Sequence, residues 1–383
     1  MSGELVYLDH AASTPMRREA IEAMLPYLDQ QFANPNGSHR FARQARAALD
    51  DARDVIAHVV GCRPGDVIFT GGGTEADNTA ILGTIARHGG TAVCSAAEHH
   101  AVLHAVEHVG GRVVGVDPVG AIDLDALDAA LVDLADVAVV SAMAVNNEVG
   151  AITDVGAVAE VVRRRHPGAR VHTDAVQAAC WLDLRDITPH VDLLSLSGHK
   201  FGGPKGIGAL IARSTGTFAP LLIGGGQERE RRSGTQNVAG AVALAEALRL
   251  TDLERDQERV RLTVLRDRLV DRLVAALPDV RETVERSRKV AGSAHICIAD
   301  LENEALLYLL DEGGVCASAA SACSAGAMEP SHVLAAMGVD RRWSTGALRL
   351  TLGRTTTEAD IDRAVAVIIA AVERIRGFST VAP

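Results

Sequence analysis

The sequence predicts an α/β protein in which a large, mostly parallel sheet unit is followed by a smaller α+β unit. Three observations predict it. Across residues 5–197, apolar runs of strand length alternate with longer segments of helical periodicity, the order produced when helices cross over between parallel strands. Polar and glycine-rich turns recur at the carboxyl ends of those runs, the edge where open α/β sheets collect ligands. Beyond a long helical pattern at 238–277, the alternation gives way to a mixture of strands and helices.

Composition bounds the class. The chain has 383 residues, 48% of them hydrophobic, and no low-complexity run, enough for a large core and more than one domain. Its 49 acidic and 38 basic residues leave a net charge of -11, which excludes a general nucleic-acid binder because phosphate contacts need a basic surface. No run approaches the roughly 18 apolar residues of a membrane span. The opening MSGELVYLDH lacks a charged-then-apolar signal region, so a cytoplasmic protein is expected. Cys62, Cys94, Cys180, Cys297, Cys316 and Cys323 form no C-x-x-C pair and no metal-ligand spacing, and are expected to be reduced thiols.

Taken in order, LVYL at 5–8 reads as a short strand, and DHAASTP as a turn leading to a helix that begins near Pro15 or Met16. In the loop FANPNGSH, Asn34 and His39 either shape the turn or face a ligand; an amphipathic helix follows at 40–60. The strand DVIFT at 66–70 runs into GGGTEADN. A strand, three glycines and a helix start capped by Thr74 make an anion site, because free N–H groups and the positive end of the helix dipole point at the ligand. The Gly-Lys-Ser/Thr ending of a P-loop and the G-x-G-x-x-G spacing are both missing.

The strand TAVCS at 91–95 leads to AEHHAVL and a helix. Glu98, His99 and His100 are not read as a metal site, since adjacent histidines point to different sides of a helix and no third ligand is spaced to join them. After RVVGV at 112–116 and a helix near 123–134, the strand VAVVSAM at 137–143 ends in the polar cluster Asn146, Asn147 and Glu148. A helix at about 154–165 precedes the strand ARVHTD, which places Asp174 at a carboxyl end, three residues before Gln177. A carboxylate there can pair with a pyridinium nitrogen and keep it protonated; a helix cap is the plain alternative.

The turn SLSGHKFGGPKG presents Ser197, His199 and Lys200 together. Of 38 basic residues only Lys200, Lys205 and Lys289 are lysines, so a lysine here is not a casual surface choice. Glycines 202, 203 and 206 let the backbone approach a ligand, and such a turn can seat a covalently bound carbonyl cofactor. A solvated loop lysine is the plain alternative. Further on, GGGQERERRSGTQN at 224–237 is polar and charged, and its RRSGT offers cationic and hydroxyl groups to an anion. A domain change is expected near residue 258, within the helical stretch or at a bend in it. The segment ASAASACSAGAMEP at 317–330 surrounds Cys323 with small residues, which predicts mobility and suits a nucleophile that must visit two places. Its thiol needs a nearby cation or base to gain reactivity.

In order, LDHAASTP, NPNGSH, IFTGGGTEADN, AEHHAVL, VNNEVG, HTDAVQ, SLSGHKFGGPKG, RRSGTQN, SACSAGAMEPSHVL and LRLTLGR cover nearly the whole chain. Together they closely resemble the motifs of the cysteine desulfurases, the NifS/IscS-like branch of the fold-type I enzymes that use pyridoxal 5'-phosphate. The resemblance implies the fold-type I transferase fold, with a large domain at 15–258 holding a mostly parallel seven-stranded sheet. Residues 1–14 and 259–383 would then form the small domain. It implies that Lys200 bonds the cofactor aldehyde, Asp174 partners the pyridine nitrogen, and Gln177 and Asn147 contact the ring hydroxyl. His99 would stack on the ring and assist proton transfer. Gly73, Thr74, Ser197 and His199 would hold the phosphate, with Thr235 reaching across from the second subunit of a homodimer. Arg349, assisted by Asn34, would grip the substrate carboxylate, and Cys323 would be the nucleophile.

The implied reaction converts L-cysteine to L-alanine, with sulfur passing to Cys323 as a persulfide and then to an acceptor protein. Iron-sulfur cluster scaffolds, tRNA thiolation enzymes, thiocofactor synthesis and DNA phosphorothioation systems are the acceptors such enzymes serve. No metal, membrane or direct nucleic-acid partner is implied. The ASAASAC segment departs from the commoner SSGSAC, while the spacing from Cys323 to Arg349 resembles the longer-loop, IscS-like group. A selenocysteine lyase or an aminotransferase of the same fold would keep Lys200 and Asp174; Cys323 favours the desulfurase. A non-catalytic sulfur-relay scaffold is opposed by the presence of Lys200, Asp174 and Arg349.

Overall fold

The computed structural model describes residues 5–213, 216–319 and 331–379. The chain enters as β1 (Val6–Tyr7) and then lays down β2 (Val67–Thr70), β3 (Thr91–Ser95), β4 (Arg112–Val114), β5 (Val137–Ser141), β6 (Arg170–Asp174), β7 (Leu193–Ser197) and β8 (Gly208–Ala212). It closes with β9 (Val280–Glu282), β10 (Ser293–Ile298), β11 (Val315–Cys316) and β12 (Ala347–Thr351). Strands β2 to β8 form one seven-stranded sheet in the order β2-β8-β7-β6-β5-β3-β4, in which β8 runs antiparallel to both neighbours and the other pairings are parallel.

The central strands read as continuous apolar runs because helices cover both faces; every residue of β5 and β7 is buried. Those helices, Gly73–His88, His100–His108, Leu124–Asp133 and Val155–Arg165, are the crossovers that parallel pairing requires. Their starts are set by local chemistry: Asp123 and Asp154 accept backbone N–H bonds as N-caps. Strand order reverses at β3, which has β4 on one side and β5 on the other, and such a switch point opens a crevice at the strands' carboxyl ends.

Two details differ from the sequence expectations. Thr74 is not the cap: the helix begins at Gly73, Gly72 is the N-cap residue with φ 148°, and Thr74 stands exposed in the first turn. The reason is close packing against Val176, with Ser197 beside it. A Cβ at Gly73 would meet Val176 Cγ2 at 2.8 Å and Ser197 Cβ at 3.4 Å, so the turn must be glycine there and the helix starts one residue early. The first helix begins at Arg18 rather than near Pro15. Strand β8 follows the glycine turn so closely that its GALIA run has no flanking punctuation of its own.

The long helical pattern is one helix, Val238–Ala276. Its company changes along its length. Ala241 to Leu248 pack with the large sheet's core, whereas Leu262 to Leu273 pack with Ala294, Ile296, Leu306, Leu350 and Ile361 around the antiparallel sheet β12-β10-β9. Strand β1 joins this second core by pairing with β11, and Thr351 N donates to Leu8 O at 2.7 Å, so the start of the chain is tied to its end. No described helix is long and apolar enough to cross a membrane.

Close backbone approach at Gly346 gives the first prediction. A Cβ there would come 1.9 Å from Ile298 O, which the paired backbone of β10 and β12 cannot relieve. Gly346→Ala is expected to cost about 1–3 kcal/mol in urea denaturation. Gly168→Ala, where a Cβ meets nothing within 4 Å, is expected to be neutral.

Candidate active site

Two turns almost two hundred residues apart in sequence are stapled together in the crevice. Lys200, in the short turn after β7, donates from Nζ to Ala11 O at 2.5 Å and Ala12 O at 3.0 Å. Gln177 Nε2 donates to the same Ala11 O at 2.8 Å, Thr14 N donates to His199 O, and Arg17 N to Gly202 O. His199 Nδ1 lies 3.3 Å from Ser13 Oγ, and burial together with Lys200 and Lys205 lowers its pKa to about 4. Asn147, Gln177 and Lys200 line one cavity with His10 and Ala11. The early DHAASTP segment is thus a wall of the site.

Beneath this wall three buried carboxyl groups gather. Asp174, at the end of β6, is 3% exposed, and its Oδ1 accepts from Val176 N at 2.8 Å. Burial raises its pKa to about 6, against the opposing pull of Val176 N and Lys200. Glu98 accepts from Met143 N at 2.7 Å through Oε1, and burial, with Asp174 adding, pushes it up to about 8. Asp77 is raised well above the carboxylate range by burial and then by Asp174. Asp77 Oδ1 and Glu98 Oε2 have no hydrogen-bond partner among the described residues. His172, held neutral by burial with its pKa lowered to about 3, bridges Ser141 Oγ at 2.9 Å and Ser195 Oγ at 3.0 Å behind them.

His99 caps the helix His100–His108, its Nδ1 accepting from Ala101 N at 3.1 Å. That bond leaves the proton on Nε2 of the neutral ring, and burial followed by Lys200 lowers the pKa to about 4. One donor atom each from Asp77, His99 and Asp174 lie within 4.8 Å of one another. Glu98 turns inward to Met143 N, while His99 and His100 meet edge to face at 6.3 Å and border one groove.

At the other end of the crevice, Ser197 is buried against Gly72 and Gly73, whose missing side chains leave a cradle at the helix start. Thr74 borders the same groove as His99 and Asn78. Arg349 is 5% exposed: it donates to Asn147 O at 3.0 Å and to Asp9 Oδ1 at 2.8 Å, with Nε unpartnered among the described residues. Asn34 is engaged locally, its Oδ1 accepting from Asn36 N at 3.0 Å. Thr235 is exposed on a different loop. Cys323 lies outside the described residues.

Sequence reading missed Asp9, Asp77 and Ser195, and considered Glu98 only as a metal ligand. Asp9 and Asp77 stand inside motifs already singled out, DHAAST and GGGTEADN; their signal was a carboxylate with no local cap or i,i+4 partner.

The donor set fits pyridoxal phosphate. A glycine cradle at a helix start suits its dianion, a lysine in a turn suits its aldehyde, and the buried carboxyl of Asp174 at the end of β6 suits a pyridinium nitrogen, whose positive charge would offset its burial. The aminotransferase class-V family model matches residues 6–364, and the chain belongs to that family, whose enzymes depend on pyridoxal phosphate. Within it, the chain falls among the cysteine desulfurases. It is 43% identical over 385 residues to an IscS-like cysteine desulfurase of Mycobacterium tuberculosis, covering 97% of each chain. Among solved structures, a NifS-like protein superposes with a TM-score of 0.89 at 31% identity, over 97% of this chain and all of that one. SspA in complex with cysteine superposes with a TM-score of 0.77 at 29% identity, over 90% of this chain and 98% of the other.

Crowding of carboxyl groups sets a pH dependence for the cofactor-free protein. Glu98 rises from 4.5 to about 8 and Asp174 from 3.8 to about 6, so the folded state binds more protons than the unfolded one in that window. Stability is therefore expected to fall as pH rises through it. Thermal melts of cofactor-free wild type and Glu98→Gln at about pH 5 and about pH 8 check this. The variant, which keeps an acceptor for Met143 N, is expected to gain on the wild type by a few degrees at the higher pH.

Proposed function

We propose that Lys200, Asp174, His99, Arg349 and Cys323 carry the conversion of L-cysteine to L-alanine, with sulfur taken up by Cys323 and delivered to an acceptor protein. The observation that carries this is the placement of Lys200 at the end of β7, in the crevice that buries Asp174 at the end of β6. Bound pyridoxal phosphate supplies an electron sink that makes the Cα proton of an amino acid acidic. Asp174 holds a proton on the ring nitrogen, Asn147 and Gln177 orient the ring through its hydroxyl, and His99 covers its face. Gly73, Thr74, Ser197 and His199 bind the phosphate with the free N–H groups of the helix start.

Arg349 binds the substrate carboxylate, with Asn34 beside it. Its guanidinium also donates to Asp9 Oδ1, which orients the bidentate fork that fixes the amino acid's carboxylate. Lys200 Nζ takes the Cα proton and later returns one, working as general base and acid. The Cys323 thiolate attacks the substrate sulfur. The new S–S bond forms as the C–S bond breaks, the bonding electrons return to the substrate carbon, and protonation there completes alanine. A second thiolate, on the acceptor, then removes the outer sulfur.

In this reading residues 15–258 form the cofactor domain, and 1–14 with 259–383 form the small domain that brings Cys323. The working unit is a cytoplasmic homodimer in which Thr235 of each subunit serves the phosphate of the other. Free thiols at Cys62, Cys94, Cys180, Cys297 and Cys316 agree with a reducing compartment. The relative solved with cysteine bound supports the choice of substrate.

Alanine and enzyme-bound persulfide measured together from L-cysteine test the reading. Wild type is expected to yield both. Cys323→Ala is expected to keep the cofactor's visible absorbance and lose persulfide, with alanine formation down by about 100-fold or more. Lys200→Ala is expected to lose both products. A wild type that binds the cofactor and forms neither product would overturn the substrate assignment.

A further inference from the structure

Residues 224–237 form a clasp fixed from inside. Glu228 is 4% exposed and uses both carboxylate oxygens: Arg53 forks onto them at 2.9 and 3.1 Å, Phe69 N donates at 3.1 Å and Gln236 Nε2 at 2.9 Å. Burial opposes its charge, and Arg53 together with Gln236 and Phe69 N reverses that, holding the carboxyl below its usual range. Around it, Glu228, Arg229 and Glu230 take φ of 49°, 58° and 64°. Three successive non-glycine residues in the left-handed region persist only where their surroundings over-determine them, and such strain gathers at functional positions.

Other ties complete the clasp. Gln227 Oε1 accepts from Gly234 N at 2.9 Å, Arg231 donates to Gly65 O at 2.8 Å, and Arg232 donates to Glu75 Oε1 at 2.9 Å. Asn237 caps the long helix through Gly240 N at 2.8 Å. Between pinned Gly234 and pinned Gln236 stands Thr235, exposed, its hydroxyl without a hydrogen-bond partner among the described residues. Directly upstream, Leu221, Leu222 and Ile223 are 38%, 44% and 88% exposed, and Ser233 N donates to Leu222 O at 3.0 Å, so the apolar patch and the clasp are one body. A strained loop tied down at Glu228, Arg231 and Arg232 that offers an exposed hydroxyl beside exposed apolar residues is built to meet another protein surface.

We propose that the buried Arg53–Glu228 pair is a positioning device that acts in trans: it fixes the clasp so that Thr235 meets the cofactor phosphate of a second copy of this chain. Glu228 and Arg53 therefore serve the partner's active site rather than their own. This rests on the homodimer reading above and adds which buried residues make the crossing productive.

Heterodimers of differently tagged subunits test it, with cofactor retention and alanine formation as separate readouts and dimer assembly checked by light scattering. Homodimeric Glu228→Gln is expected to dimerise and to bind pyridoxal phosphate about 10-fold more weakly, the loss of one charge-assisted phosphate contact. Paired with Lys200→Ala, it is expected to recover. The Lys200 of the Glu228→Gln subunit then faces a wild-type clasp, so one site of two regains wild-type affinity and half the wild-type rate. Thr235→Ala paired with Lys200→Ala is expected to recover in the same way.

If Thr235→Ala recovers and Glu228→Gln does not, Glu228 works within its own subunit and the inference is overturned while the homodimer reading stands. If Thr235→Ala does not recover either, the crossing itself is wrong and both fall. Wild-type cofactor affinity in homodimeric Glu228→Gln also overturns the inference. Should Glu228→Gln fail to assemble, Gln236→Leu, which cuts only the tie next to Thr235, takes its place in the same pairings and is read the same way.

Discussion

Three carboxyl groups buried together, Asp77, Glu98 and Asp174, are the constraint from which the rest of the site follows. Each is out of water, two have an oxygen without a hydrogen-bond partner among the described residues, and burial raises all three. Such a cluster is costly by itself. It becomes reasonable when a cation is to be held against it, and a pyridinium nitrogen is such a cation. The neutral His172 bridge to Ser141 and Ser195 secures the layer beneath through hydrogen bonds and adds no charge.

The sheet explains why these groups can meet. Residues 77, 98, 174 and 200 come from separate crossovers, yet parallel strands deliver all their carboxyl ends to one edge, and the reversal of order at β3 opens that edge. The long helix Val238–Ala276 then carries the chain from the large core into the second core in a single rigid element. Small-unit Arg349 is thereby held against Asn147 and Asp9, across from the lysine turn. The chain start joins the second core at β1 and then walls the lysine turn at Ala11 and Ala12, which ties the second core to the crevice.

The same economy governs the surface. An acidic protein with a clasp of arginines and glutamates could spend those charges in solvent, and most of its surface pairs do, such as Arg249 with Glu246 and Arg261 with Glu258. Arg53 and Glu228 differ because both are buried and share a network with Phe69 and Gln236. Breaking one partner of such a pair leaves an uncompensated buried charge, so the pair specifies one loop conformation more than it adds net stability.

The sequence by itself determined the secondary structure of the large unit almost to the residue at β3 and at the helix Arg40–Val60, because apolar period and punctuation are local properties. It also marked Asp174, Lys200 and the glycine cradle, since each stands where a strand ends and a turn begins. It took Thr74 for the helix cap wrongly, because the start at Gly73 depends on close packing against Val176, more than a hundred residues away. Strand β8, the burial of Glu98 and Asp77, and the Asp9 partner of Arg349 were decided only in the tertiary structure. Their physical meaning lies in which distant groups share a desolvated space, and pairwise proximity of that kind leaves no periodic trace along the chain.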